Sequence, residues 1–283
     1  MSKISLSINN KEYQHSIEGA PPFRCGKEEL LSNKKTDITF DQDWYLKGHK
    51  SLSFLNENEF KKLKKGLTSC IQNIIESEIG IKIEDFTIEK YHKYITTNED
   101  HMKVVRKTRD LFSEDFNFSI MEMLPKLGGL LGFELTDTNP KDNHKVHIIV
   151  RINRPFSNDF NPPHKDIYEN FDKDSYIPRL VNFWIPIAGV TENSSLPIAP
   201  ASHLITEDKI NRTFDGGVVE GNKYRVRMIK EWDGSNKLER AKVNYGEVLI
   251  FTSHLIHGMA INEEKDTTRV ALEFRLFKKS HVE

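Results

Sequence analysis

Cysteine is scarce: Cys25 and Cys70 are the only two in 283 residues. They stand far apart, in no redox or metal-ligand spacing, which excludes a disulfide scaffold and fits a reducing, cytoplasmic setting. A surplus of charge of one sign is also missing. The 41 basic and 42 acidic residues leave a formal net charge of −1, so no global field marks the chain as a binder of nucleic acid or of an anionic membrane surface. A concentrated basic groove with interleaved aromatics, which a single-stranded nucleic acid would need, is not evident either. No run approaches the roughly 20 apolar residues that cross a bilayer, and Met1 to Asn10 lacks the apolar stretch of a signal peptide. Internal repeats and low-complexity tracts are absent, which argues against a solenoid or a long disordered tail. These exclusions leave a cytoplasmic globular protein, and 1–283 is expected to form a single domain with a sizeable core.

The chain divides by periodicity. Residues 1–55 read as an N-terminal arm, without clear pattern up to about residue 35, followed by short extended segments from Thr36 to Phe54. Residues 56–137 read as helical support. Asn56 with Glu59 forms a capping-box start, and Phe60, Leu63, Leu67, Ile71, Ile74 and Ile75 then make one apolar stripe while Lys61, Lys62, Lys64 and Lys65 face water. Gly80 is the expected stop. Further helical pieces are expected at Asp85 to Tyr94, His101 to Phe112 and Phe118 to Leu127, the last broken by Gly128-Gly129.

From residue 138 to 283 the pattern turns to β. Val146 to Asn153, Val181 to Ile187, Leu196 to Ala199, Lys223 to Ile229, Val248 to Phe251 and Arg269 to Phe277 are the expected strands, with the polar stretch from Leu204 to Gly221 as an inserted lid. On the Val181 strand, Val181, Phe183, Ile185 and Ile187 share one face and Asn182 and Trp184 the other. On the last strand, Val270, Leu272, Phe274 and Leu276 oppose Arg269, Ala271, Glu273 and Arg275, and Glu273 is placed to orient Arg275. Short strands at close spacing argue for a jelly roll over a parallel sheet.

The chemistry concentrates in His164-Lys165-Asp166 and the distant His257. On an extended segment His164 and Asp166 project to one side and Lys165 away from it. Two imidazoles and one carboxylate make the facial triad that holds non-haem Fe(II) by three corners and leaves the others open. His254 competes with His257, but an odd separation sends the two to opposite faces, and His254 reads as structural. Gly258 allows close backbone approach beside the ligand. Arg269 downstream supplies a planar cation suited to a carboxylate. His147, Arg151 and Asn153 on one strand face, with Arg225 and Arg227 on another, offer cations to an anionic small-molecule substrate or to a cosubstrate.

These elements, taken in order, resemble the phytanoyl-CoA dioxygenase family. The resemblance rests on His164-x-Asp166, Phe183-Trp184-Ile185-Pro186-Ile187, Ser195 to His203, Gly246-Glu247-Val248-Leu249-Ile250-Phe251, His257-Gly258, Asn262 and Thr268-Arg269, and covers roughly residues 145–277. It implies an α+β chain with a double-stranded β-helix core (a jelly roll, cupin-like) and flanking helices, with Fe(II), 2-oxoglutarate and O2 as cofactor and cosubstrates. By resemblance His164, Asp166 and His257 are the metal ligands, Arg269 pairs with the distal carboxylate of 2-oxoglutarate, and Trp184 lies near the cosubstrate; Arg151 is the further cosubstrate-binding candidate. The implied reaction is hydroxylation of a small molecule. Asp166 disfavours the related halogenases, which carry a small residue there. The chain departs from the pattern at Ala201-Ser202-His203, where Gly-Ser-His is common, and at Ser194-Ser195, where a glycine is usual. Two rivals remain: a zinc hydrolase or lyase using the same ligands, and a scaffold without turnover.

Overall fold

The computed structural model describes residues 2–19, 21–116, 120–169, 178–219 and 221–279. In chain order its elements are β1 (Ser2–Ile8), β2 (Lys11–Glu18), β3 (His49–Ser53), α1 (Glu57–Ile79), α2 (Tyr91–Tyr94), α3 (Asn98–Thr108), α4 (Ile120–Leu131), β4 (Leu135–Thr136), β5 (Ile149–Asn153), β6 (Leu180–Ala188), β7 (Pro197–Ile198), β8 (Ile210–Arg212), β9 (Gly217–Val219), β10 (Asn222–Tyr224), β11 (Ile229–Trp232), β12 (Lys237–Arg240), β13 (Glu247–Thr252) and β14 (Arg269–Lys278). The chain is thus mixed α+β, with helices concentrated before residue 132.

Two six-stranded sheets organise it. One runs β3-β13-β6-β14, with β14 continuing to β5 along its first half and to β4 at its end. The other runs β10-β9-β2-β1-β12-β7, and β8 pairs separately with β11. In the first sheet side-chain parity sorts the core into two layers. Phe183, Ile185, Val248, Ile250, Leu272 and Phe274 point to the helical side and pack with Leu63, Leu67, Ile71 and Val104. Trp184, Leu249, Phe251 and Ala271 point the other way and pack with Leu196, Ile198 and Leu255. A strand buried on both faces has no polar alternation to display, and every residue of β6 is buried.

α1 begins as its sequence dictates. The Asn56 side chain accepts from Glu59 N at 3.0 Å while Glu59 accepts from Asn56 N at 2.9 Å, so two of the free N–H groups of the first turn are satisfied. Gly80 ends the helix at φ 78°, a left-handed conformation that glycine enters without a Cβ penalty.

The structure departs from the expectations in five places. Residues 2–18 are not an arm without pattern: β1 and β2 form a hairpin inside the second sheet, with Ile4, Leu6, Ile8 and Ile17 buried. Residues 33–48 are turns rather than extended segments. α4 runs through Gly128-Gly129 to Leu131 and stops at Gly132, φ 75°. Gly128 serves close approach instead, since a Cβ there would lie 2.8 Å from the Phe133 carbonyl oxygen; the expected start of that helix at Phe118 lies outside the described residues. Residues 204–219 are built into the molecule rather than laid over it, for β8 and β9 both pair and Arg212 is fully buried. Finally, Lys223 to Ile229 is not one strand: β10 ends at Tyr224 and β11 begins at Ile229. No helix among the described residues is long and apolar enough to cross a membrane.

Candidate metal centre

His164 and His257 are brought together by backbone pairing. The N–H of each donates to the carbonyl of the other, at 2.9 and 3.0 Å, and their rings stand 4.4 Å apart between centroids. Gly258 makes this approach possible: a Cβ there would sit 2.6 Å from the Pro162 carbonyl oxygen. Asp166, two residues on from His164, joins them, and one ligand atom from each of His164, Asp166 and His257 lies within 4.8 Å of the other two. Among the described residues no other cluster of three or more such groups forms.

Hydrogen bonding sets the tautomers. Nδ1 of His164 donates to the Pro162 carbonyl at 2.7 Å, and Nδ1 of His257 to the Leu255 carbonyl at 3.0 Å. Each ring therefore keeps its Nε2 lone pair for the cluster. Nε2 of His257 is buried without any partner, 3.8 Å from Asp166. Burial, reinforced by the neighbouring His257, pushes the His164 pKa down to about 3, so that ring is neutral. Burial opposes the charge of Asp166, but Arg275 and then the two imidazoles outweigh it and hold the carboxyl below its usual range. Arg275 donates to one Asp166 oxygen at 2.5 Å and Asn182 to the other at 2.6 Å. A neutral His164 and an ionised Asp166 are protonation states that a divalent metal requires of its ligands.

A cavity opens from this cluster. His164, His257, Trp184, Arg151, Asn153 and Arg269 line its inner end, and residues of α3 and β10 its outer end. Arg269 is 1% exposed and stands 5.0 Å over the Trp184 ring. Its Nη1 donates to Asn153 at 2.5 Å, whereas Nε and Nη2, which form one edge of the guanidinium fork, have no partner. Burial first, then Arg151, works against its charge. A buried guanidinium edge without an acceptor is costly to leave unmade and matches a carboxylate in shape.

The other sequence candidates divide. Arg151 lines the cavity but is engaged by Glu273, at 2.8 and 3.1 Å. Glu273 also meets Arg275 at 3.3 Å. Lys165 turns away from the cluster, as strand parity requires, into a buried ionic group with Glu207, Arg212 and Glu169. Arg227 belongs to that same group. Neither it nor Arg225 or His147 reaches the cavity, and His147 instead packs against Phe112 at 4.6 Å. His254 lies buried away from the cluster, beside Asp37.

The sequence model of the phytanoyl-CoA dioxygenase family matches residues 52–270. The chain belongs to this family. Family membership, in a group of Fe(II)/2-oxoglutarate-dependent oxygenases, extends from β3 through the helices to the start of β14, well upstream of the motifs that carry the resemblance in sequence. Among solved structures the chain is similar to AviO1 from Streptomyces viridochromogenes Tue57, at 15% identity and TM-score 0.45, covering 89% of this chain and 97% of that one. It is also similar to EvdO2 from Micromonospora carbonacea var. aurantiaca, complexed with 2-oxoglutarate, at 13% identity and TM-score 0.42, covering 89% and 94%. A third is SnoK, a non-haem alpha-ketoglutarate-dependent carbocyclase from nogalamycin biosynthesis, at 13% and 0.41, covering 89% and 87%. No curated protein sequence matches the chain.

Sequence reasoning missed the contact of Asn182 with Asp166 and that of Asn153 with Arg269. The signal for Asn182 was present in its parity with Trp184 on β6. The signal for Asn153 was weaker, since its pairing with Arg269 depends on the register of β5 against β14, where the two residues are direct partners.

Proposed function

We propose that the chain is an Fe(II)- and 2-oxoglutarate-dependent dioxygenase that hydroxylates an unactivated C–H bond of a small-molecule metabolite, releasing succinate and CO2. The observation that carries this reading is the buried Arg269, which has an unpartnered guanidinium edge and lines the same cavity as His164 and His257 of the metal cluster. In this reading the arginine has a defined task, because 2-oxoglutarate carries a distal carboxylate that fits a guanidinium edge. The two facing sheets are read as the halves of a double-stranded β-helix, and residues 1–283 as one oxygenase unit.

In this reading His164, Asp166 and His257 would hold the iron and Arg269 the distal carboxylate of 2-oxoglutarate. Bound iron and cosubstrate would supply the activation of O2 and the oxidising power. The protein's own part is orientation. The carbonyls of Pro162 and Leu255 hold the imidazole tautomers, and Asn182 and Arg275 hold the carboxylate. Asn153 fixes one end of the guanidinium and Trp184 floors it. Arg151, held by Glu273, lines the cavity that would receive both cosubstrate and substrate.

The test is anaerobic addition of Fe(II) and 2-oxoglutarate to the purified protein. The visible charge-transfer band of the chelate is expected in the parent and not in Asp166→Ala. A well-folded parent that gives no band overturns the assignment.

A further inference from the structure

The cavity that reaches the metal cluster continues outward between α3, the loop at residues 158–161 and β10. Half of the charged groups along it, Asp159, Glu273 and Arg151, are neutralised inside the protein. Asp159 is held by Arg154 at 2.9 Å and by His101 at 3.2 Å, and Glu273 by Arg151 at 2.8 Å. Three lining cations have no carboxylate partner among the described residues: Arg269, Arg109 and Lys223. Arg269 lies at the inner end. Arg109 and Lys223 lie nearer solvent, half-buried and exposed respectively, on two different elements, Arg109 closing the C-terminus of α3 and Lys223 in β10.

Arg109 is the informative one. It is half-buried, and its side chain makes no hydrogen bond or ion pair with a described residue. Burial, and next the guanidinium of Arg151, disfavours its charge, with Tyr224, Asp110 and Glu273 acting weakly the other way. An arginine at a helix C-terminus gains a little from the helix dipole when it points to water. This one instead lines a cavity, where an unanswered guanidinium is unfavourable. The charge count agrees. An iron(II) ion, the Asp166 carboxylate and doubly charged 2-oxoglutarate sum to one negative charge, which Arg269 cancels. Nothing in that set answers Arg109 or Lys223.

We infer that Arg109, assisted by Lys223, forms an oxyanion subsite at the outer end of the cavity, and that the substrate is a small molecule bearing a carboxylate or phosphate group, held there while its opposite end reaches the metal cluster. The inference rests on the oxygenase reading above and adds the substrate class to it. The bidentate fork of Arg109 suits either oxyanion. The distance between this subsite and the cluster would then act as a ruler, setting which carbon is presented.

The test is a thermal-shift titration of the anaerobic protein saturated with Fe(II) and 2-oxoglutarate. The probes are a series of straight-chain monocarboxylic acids beside their primary amides, and alkyl phosphomonoesters beside the parent alcohols. The visible band of the chelate is recorded on the same sample. The anionic member of at least one pair is expected to bind about tenfold or more tightly than its neutral counterpart, and the acid and phosphomonoester arms identify the oxyanion. Arg109→Gln should abolish that preference, Arg109→Lys should keep part of it, and 2-oxoglutarate affinity should be unchanged in both. A purely structural role at the end of α3 would lower the melting temperature of Arg109→Gln and leave the preference intact. An intact band without anion preference in the parent, or with the same preference in Arg109→Gln, overturns the subsite. A missing band overturns the oxygenase reading instead.

Discussion

At the scale of single residues the molecule uses backbone carbonyls and neutral amides to aim charged or metal-binding groups. Pro162 and Leu255 aim the imidazoles, Asn182 aims Asp166, and Asn153 aims Arg269. Arg269→Gln should therefore weaken 2-oxoglutarate binding roughly thirty-fold or more, about 2 kcal/mol, because the carboxylate loses its charged partner in a buried setting. Metal affinity should be retained. Calorimetric titration of metal-loaded protein checks this, and equal cosubstrate affinity in parent and variant contradicts the role given to Arg269. The separation of His164, Asp166 and His257 from their neighbours was legible because parity alone turns Lys165 and His254 elsewhere. Arg109 was not legible. Its meaning depends on which groups lack a partner once the chain has folded, and no sequence pattern distinguishes it from the paired Arg154.

At the scale of elements, alternation was a good guide where a strand has one distinct face and a poor one where local pattern competed with composition. The two faces of β6 and β14 followed directly from their sequence, and the structure places the apolar faces against the helices. β1 has the same alternation in Ile4, Leu6 and Ile8, yet its serines and lysine make it resemble a polar arm. The hairpin partner that pays for its burial is only evident once β12 and β9 lie alongside. Leu6→Ala should consequently cost about 2–5 kcal/mol in unfolding free energy, whereas Leu46→Ala, at a side chain 75% exposed, should change it by less than about 0.5 kcal/mol. Urea denaturation of the two variants checks the ranking, and a Leu6→Ala protein as stable as the parent contradicts a structural role for the hairpin. Residues 204–219 misled for a related reason: the polar side chains that suggest a lid include Glu207 and Arg212, which are buried against Lys165 and Glu169.

At the scale of the whole molecule the near-zero net charge conceals a strongly uneven interior. Charges and imidazoles are buried in both sheets, and four histidines outside the metal cluster, His15, His49, His203 and His254, are each pushed down to about pKa 4 by burial. In the unfolded chain these rings titrate near 6.5. Their folded pKa is the lower one, so stability is complete above pH 6.5 and falls as pH drops from there towards 4, by about 1.4 kcal/mol per pH unit for each ring. Denaturation midpoints measured across that window should decline steeply, and His15→Leu should show a slope shallower by about one ring's share. An unchanged slope contradicts the burial argument for His15. In the proposed function one metal and one keto-diacid share the inner end of the cavity. Crystals grown anaerobically with Fe(II) and 2-oxoglutarate, measured at the iron absorption edge, test it most directly. A single anomalous peak is expected within bonding distance of Nε2 of His164, Nε2 of His257 and the Asp166 carboxylate, with 2-oxoglutarate extending from it to Nε and Nη2 of Arg269. A peak elsewhere, or a cosubstrate whose far carboxylate leaves Arg269 untouched, contradicts it.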